Sequence, residues 1–264
     1  MLRPVPNSTT MPQQFTPCWP GECRAAVSLT FDDGVPSQLA CAVPMLNEAD
    51  LQASFYLVPR GADYLEKLAP WREVAMAGHE IGNHTVSHIC SHAFRDNPAA
   101  RGLENMTLDD IEKDIVEAKS RLQQLVPEQK EMSFCYPCYM EHVGRGPTRQ
   151  SYVPVVARHH IAGRGKGEFP FANHPATVDL HYAWSWPAER MPGSQMVGLV
   201  EACVAGNRWG ILTFHGIQEG HLSVAESDFR ELVNYLKINH GRVWTAPVAK
   251  VARRILDWRK ENGI

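Results

Sequence analysis

The stretch Ala25-Ala26-Val27-Ser28-Leu29-Thr30-Phe31-Asp32-Asp33-Gly34 constrains this chain more than any other, because an apolar run ends abruptly in two adjacent carboxylates and a glycine. A strand can bury Val27, Leu29 and Phe31. It cannot bury two neighbouring like charges unless a cation or raised pKa values relieve them. Asp32 and Asp33 therefore read as a metal and acid-base site, which other parts of the chain must complete.

The 264 residues suffice for one large α/β domain with a substantial core, and nothing compels a division in two. The expected organisation is a Pro-rich extension over 1–24, carrying Pro4, Pro6, Pro12 and Pro17, followed by a single domain over 25–264. Short apolar strands alternate with amphipathic helices, the rhythm of an α/β fold. Strands are expected at 53–58, 131–136, 209–214 and 243–245, and, in the weakly patterned section 141–190, at 153–157 and 177–182. Helices are expected from Pro36, with a kink at Pro44, over 64–77 up to Gly78, and over 107–125 with Thr107 as N-cap. Further helices are expected over 197–205, 227–239 and 247–259. In α/β barrels the C-terminal ends of the strands converge on one rim, where Asp32, Asp33, His84 and His215 would meet.

A net charge of -3 with 12 His counted neutral gives no global attraction to nucleic acid or an anionic membrane. No window offers roughly 18 uninterrupted apolar residues, so no membrane span is expected. Residues 1–18 lack an apolar leader segment, so the chain as given reads as cytoplasmic, or exported if a leader has been lost. Seven scattered Cys favour a reducing compartment, with a local Cys18–Cys23 bridge as the lesser alternative. Cys135-Tyr136-Pro137-Cys138 has the spacing of a redox dithiol, but no helical pattern follows to stabilise a thiolate, so the pair reads as reduced thiols at a barrel rim.

His84-Thr85-Val86-Ser87-His88 places two imidazoles four apart, close enough on a helical turn to share one metal ion with a carboxylate from elsewhere. His92, four residues further on, reads as solvated. Tyr182, Trp184 and Trp186 form an aromatic cluster suited to stacking on sugar rings, although core packing is the commoner role of such residues. His159, His160, His174, His181 and His221 are assigned to no site.

Taken in order, Thr30-Phe31-Asp32-Asp33-Gly34, His84-Thr85-Val86-Ser87-His88 and Leu212-Thr213-Phe214-His215 resemble the polysaccharide deacetylase family defined by the NodB-homology domain, carbohydrate esterase family four. The resemblance runs from about Ala25 to about Ala249. It implies a distorted (β/α) barrel with one divalent metal at the rim, usually zinc, with cobalt, nickel or manganese as alternatives. It also implies Asp32 as general base, Asp33, His84 and His88 as metal ligands, and His215 as general acid. Cys138 and Tyr139 fall where the family's oxyanion contact lies, and Leu212 and Trp184 join them as substrate-facing candidates. Phe134-Cys135-Tyr136-Pro137-Cys138 stands where the family has Phe-Arg-x-Pro-Tyr, so Cys135 replaces an arginine that orients the base. Asp179 is a weak match to a later family aspartate.

The activity this implies is removal of N-acetyl groups from an acetylated carbohydrate, the expected partner. An O-acetyl esterase or small-molecule amidase on the same fold stays open, as do a non-catalytic carbohydrate-binding descendant and a non-haem iron oxygenase, whose facial triad also uses two His and a carboxylate. Oligomeric state is left open.

Overall fold

The computed structural model describes residues 16–94 and 101–264. In chain order it contains β1 (Ala25–Asp32), a π-helical turn (Gln38–Ala42) leading into α1 (Val43–Glu48), β2 (Ser54–Leu57), α2 (Tyr64–Lys67), α3 (Trp71–Met76) and β3 (Glu80–Asn83). Next come α4 (Leu108–Leu125), β4 (Phe134–Cys135), the small ladder of β5 (His142–Val143) with β6 (Gln150–Ser151), α5 (Val153–His159), β7 (Gly163–Lys166) and β8 (Ala183–Pro187). The chain closes with α6 (Gly193–Gly206), β9 (Trp209–Phe214), α7 (Glu226–Ile238), β10 (Val243–Thr245) and α8 (Val248–Asn262).

Seven parallel strands, β1-β2-β3-β4-β7-β8-β9, close into a barrel because β9 pairs back onto β1 along Ala26–Phe31. β10 pairs with the start of β1, Ala25–Val27, on the side where the end of that strand, Thr30–Asp32, pairs with β2. The strand that carries the two carboxylates is thus held by three neighbours.

Successive side chains of a strand point to opposite faces. On β1 that rule sends Val27, Leu29 and Phe31 outward into an apolar layer shared with α6 and α7. Phe31 stacks on Phe55 and Phe214 at 4.8 and 5.2 Å and meets the edge of Phe229 at 5.7 Å. Truncating Phe31 to Ala would cost about 3–5 kcal/mol by the usual scale for buried aromatics. The alternate set faces inward and is polar. Thr30 Oγ1 donates to the Leu212 carbonyl at 2.9 Å, Thr213 Oγ1 to Ser185 Oγ at 3.0 Å, and Ser185 Oγ to the Gly165 carbonyl at 2.7 Å. This hydrogen-bonded lining lets the barrel interior hold an ion pair near its rim.

Several elements depart from the sequence pattern for identifiable reasons. Pro70 splits the helix expected over 64–77 into α2 and α3, since it cannot donate into a continuing ladder. Pro44 falls in the first turn of α1, where no N–H is needed, so the kink becomes a change from π-helix to α-helix. The strand expected over 153–157 is α5, with Pro154 in its first turn. Residues 177–182 form a turn and a 3-10 helix, while the true strands, β7 and β8, flank them. Thr107 caps α4 as expected, in a reciprocal pair with Asp110. Of the Pro-rich extension, residues 1–15 lie outside the described residues. Cys18 and Trp19 pack against Val251 and Ile255 of α8, and Cys18 and Cys23 are both free thiols.

Candidate active site

The Asp-Asp-Gly turn separates the two carboxylates by conformation. Asp33 and Gly34 take consecutive left-handed conformations, φ 72° and 65°, and a Cβ on Gly34 would lie 2.9 Å from Leu57 Cδ2, so glycine is required there. Asp33 N–H still donates to the Tyr56 carbonyl at 3.1 Å, as if β1 continued. Asp32 therefore points into the barrel with 4% of its surface exposed, whereas the Asp33 side chain stands 36% exposed in the cleft above.

The His84–His88 segment is a loop, not the helical turn its spacing suggested, with φ values of 61° at Thr85 and 47° at His88. Asn83 Oδ1 accepts from Thr85 N, Thr85 Oγ1 accepts from His88 N, and Asp114 Oδ1 on α4 accepts from Val86 and Ser87 N, so the loop is braced throughout. His84 Nδ1 lies 2.9 Å from the Cys135 carbonyl, which can only accept. That bond fixes the tautomer and leaves His84 Nε2 a bare lone pair.

His84 Nε2 and His88 Nε2 lie 3.1 Å apart, and they are 3.6 and 3.3 Å from Asp33 Oδ1. Ligands at roughly 2.0–2.2 Å from one tetrahedral ion stand about 3.3–3.6 Å apart, so the two edges to Asp33 match a divalent cation and the edge between the imidazoles is about 0.2 Å short of it. Three protein donors are the number that catalytic zinc sites use, leaving a coordination place for water or substrate.

An arginine does support Asp32, although the sequence motif has Cys135 in its place. Arg164, from the middle of β7, is fully buried and sets Nη2 2.5 and 2.7 Å from the two Asp32 oxygens. Its Nη1 donates to Thr213 Oγ1 at 2.8 Å, and its guanidinium lies between the rings of Tyr56 and Tyr139 at 5.2 and 5.5 Å. Arg164 also contacts Cys135 Sγ, and that thiol lies 3.5 Å from Asp32 Oδ2. Burial works against ionising Asp32, but Arg164, with His84 and His215, prevails and holds the carboxyl down at about 2. Burial pushes the Cys135 thiol well up, so it stays neutral beside the pair.

His215 stands across the site, its Nε2 3.9 Å from Asp32 Oδ2 and 4.0 Å from Asp33 Oδ2. The buried Gln38 amide donates to the carbonyls of both Asp32 and His215, at 2.5 and 3.0 Å, and so locks together the ends of β1 and β9. Nothing in the sequence pattern marked Gln38 or Arg164. On the third wall Cys138 is not a reduced thiol: it forms a disulfide with Cys90, two residues past His88. Cys138 and Tyr139 have φ values of 54° and 58°, and Tyr139 N–H is taken by the Tyr136 carbonyl. Cys138 N–H has no acceptor among the described residues.

These groups line an open cleft of about 1030 Å³ that contains Asp32, Asp33, His84, His88, Cys138, Tyr139 and His215. Leu212 and Trp184 are not in it. Leu212 precedes the inward-facing Thr213 and is therefore outward, fully buried in the apolar layer, while Trp184 lines a neighbouring cavity. Asp179 caps the 3-10 helix over 180–182, and His92 turns away to Asn105.

Residues 21–140 match the family model described as polysaccharide deacetylase. A peptidoglycan-N-acetylglucosamine deacetylase of Bacillus cereus is 32% identical over 87 residues, which are 31% of this chain and 37% of that protein. The chain thus matches little more than a third of that relative's length. Among solved structures, a Mycobacterium smegmatis protein described as a polysaccharide deacetylase superposes with a TM-score of 0.64 at 15% identity, covering 93% of this chain and 96% of its own. A family 4 acetyl xylan esterase from Clostridium thermocellum, in complex with a cobalt ion, gives 0.51 at 22% identity over 86% and 89% of the two chains. At such identities these structures share the fold.

Proposed function

We propose that this chain, whose residues 21–140 match the polysaccharide deacetylase family model, is a divalent-metal-dependent hydrolase that removes N-acetyl groups from an acetylated carbohydrate. The observation that carries the reading is the juxtaposition of two differently built sites. A donor triangle of Asp33, His84 and His88 lies beside a carboxylate, Asp32, that Arg164 keeps ionised and aimed.

Asp33, His84 and His88 would hold the ion, which would polarise an acetyl carbonyl and acidify water, with zinc or cobalt suited to this donor set. Asp32 is the proton acceptor. Its depressed pKa keeps it anionic throughout the neutral range, and Arg164 prevents the carboxylate from rotating away from the cleft. Cys138 N–H, unpaired at the cleft wall, donates to the oxygen that gains charge as the carbonyl becomes tetrahedral. His215, on the opposite wall, gives a proton to the departing amine, after which the acetate and the free amino sugar separate.

The metal-loaded protein is to be assayed for acetate release from acetylated chitooligosaccharides, acetylated xylan and small acetamides. Release from the chitooligosaccharides in preference to the other two supports the reading. Turnover confined to xylan esters or small amides, or none on any substrate, overturns it.

A further inference from the structure

The base and acid of the proposed reaction are held in very different ways. Asp32 is gripped at its carboxylate by Arg164, at 2.5 and 2.7 Å. The His215 imidazole makes no hydrogen bond among the described residues, and its nearest charged partners are oxygens of Asp32 and Asp33 at 3.9 and 4.0 Å. A general acid must stand within hydrogen-bond reach of the atom it protonates. The place of this imidazole is therefore set by its backbone.

The register between β1 and β9 ends at Phe31 and Phe214, and Asp32 and His215 are the next residues on the two strands. Gln38 supplies a rung for them from its side chain. Both neighbours are carbonyls, which only accept, so the amide must present its nitrogen, which donates to Asp32 at 2.5 Å and to His215 at 3.0 Å. The other end of the amide, Oε1, is buried with no partner among the described residues. A buried acceptor left unpaired works against stability, so stability alone is a poor account of a glutamine here. Gln38 also opens the π-helical turn, an uncommon geometry found often at functional sites. Its neighbour Ser37 reaches the loop after His215 twice: Ser37 Oγ accepts from Ile217 N at 2.9 Å, and Ser37 N donates to Glu219 Oε2 at 2.7 Å. That loop is closed on itself, with Val224 N donating to the Gly216 carbonyl and Gln218 N to the Val224 carbonyl, so the bonds from residues 37 and 38 hold it as one piece.

We propose that the Ser37-Gln38 turn is the positioning device for the proton donor: it ties His215 to the strand end that carries Asp32 and so sets the acid against the base. The proposal rests on the hydrolase reading above. Because Arg164 holds Asp32 independently, loss of the tie displaces His215 and leaves Asp32 and the triangle of Asp33, His84 and His88 in place.

Substrates that differ in leaving group test this. An amine leaves an amide only once its nitrogen is protonated, whereas para-nitrophenolate leaves its acetate ester as the anion. Gln38→Met removes both donors at nearly constant volume. It is expected to lower kcat on an acetylated chitooligosaccharide about a hundredfold, the cost of misplacing a group by about 1 Å, with KM and bound metal retained. Hydrolysis of para-nitrophenyl acetate should fall by less than about threefold. Ser37→Ala is expected to show the same amide-selective loss at about tenfold. An equal loss on amide and ester, loss of the metal, or no loss on either substrate in Gln38→Met overturns the proposal. Should Gln38→Met not fold, Ser37→Ala, at a half-buried position, decides by the same comparison. If the wild type deacetylates no amide, the deacetylase reading fails and the positioning is read from the imidazole itself. In metal-loaded protein carrying isotope-labelled histidine, the His215 magnetic resonance signals, assigned by their loss in His215→Gln, should shift or broaden in Gln38→Met while those of His84 and His88 stay. Unmoved His215 signals overturn the proposal.

Discussion

Arg164 and Asp32 are the residues on which the site's electrostatics turn. A buried guanidinium is costly to desolvate, and here it is repaid by a carboxylate, a hydroxyl and two aromatic faces. Removing one partner leaves the other buried and alone, so Arg164→Met should lower unfolding stability by about 3–5 kcal/mol in a denaturant titration. It should also lower kcat by about a hundredfold or more, because Asp32 loses its aim. Arg164→Lys should recover only part of the kcat, since one ammonium cannot reach Asp32 and Thr213 together. An unchanged kcat in Arg164→Met would show that Asp32 needs no such support. That Asp32, Asp33, His84 and His215 meet in one cleft was legible because each stands at the end of a strand-like run, and His88 because it lies four residues from His84. Arg164 was not: it sits in Gly163-Arg164-Gly165-Lys166, which has no apolar residue to betray a strand. The vacancy at Cys135 was visible in sequence, but the side chain that fills it comes from the adjacent strand of the ladder, where Cys135 pairs with Arg164.

At the scale of elements, the site depends on loops held from outside. The His84–His88 loop is tied to α4 through Asp114 and to the cleft wall through Cys90–Cys138. Titration of the denatured, unreduced protein should find five thiols among seven cysteines, and all seven would contradict the bridge. Reduction frees the segment just past His88 and should weaken metal retention against a chelator by about 10–100-fold, the usual cost of losing a ligand's outer support. This pairing was not legible. Its partners are 48 residues apart, and Cys138 was more simply read with its sequence neighbour Cys135. Helix boundaries were legible where caps and periodicity agreed, as in α4. They were misread where β-branched residues suggested a strand, as at Val153, Val155 and Val156 of α5.

For the whole molecule, the α/β class was legible because short apolar strands alternate with amphipathic helices, while closure into a barrel was an expectation carried by the family resemblance. The polar interior was less legible, since it comes from inward residues of four or more strands that only closure brings together. Global stability carries its own pH signature. Burial lowers His79 to about 4 and His160 to about 3, so both stay neutral in the fold at pH values where the unfolded chain, near 6.5, already takes up protons. Stability from these groups is therefore flat above pH 6.5, falls as pH drops toward 4, and levels off below the folded values. The His79 share is on the order of 3 kcal/mol, and His79→Gln should make the fall of the unfolding free energy between pH 6.5 and 4 shallower by that share, leaving the part due to His160. An equal slope in that variant would remove His79 from the cause. The most direct test of the division of labour at the rim is metal content measured alongside acetate release in Asp32→Asn and Asp33→Ala. Asp32→Asn should keep a single ion per chain and release no acetate, whereas Asp33→Ala should lose the ion and the activity together. Near-normal turnover in Asp32→Asn, or a full complement of metal in Asp33→Ala, would contradict it.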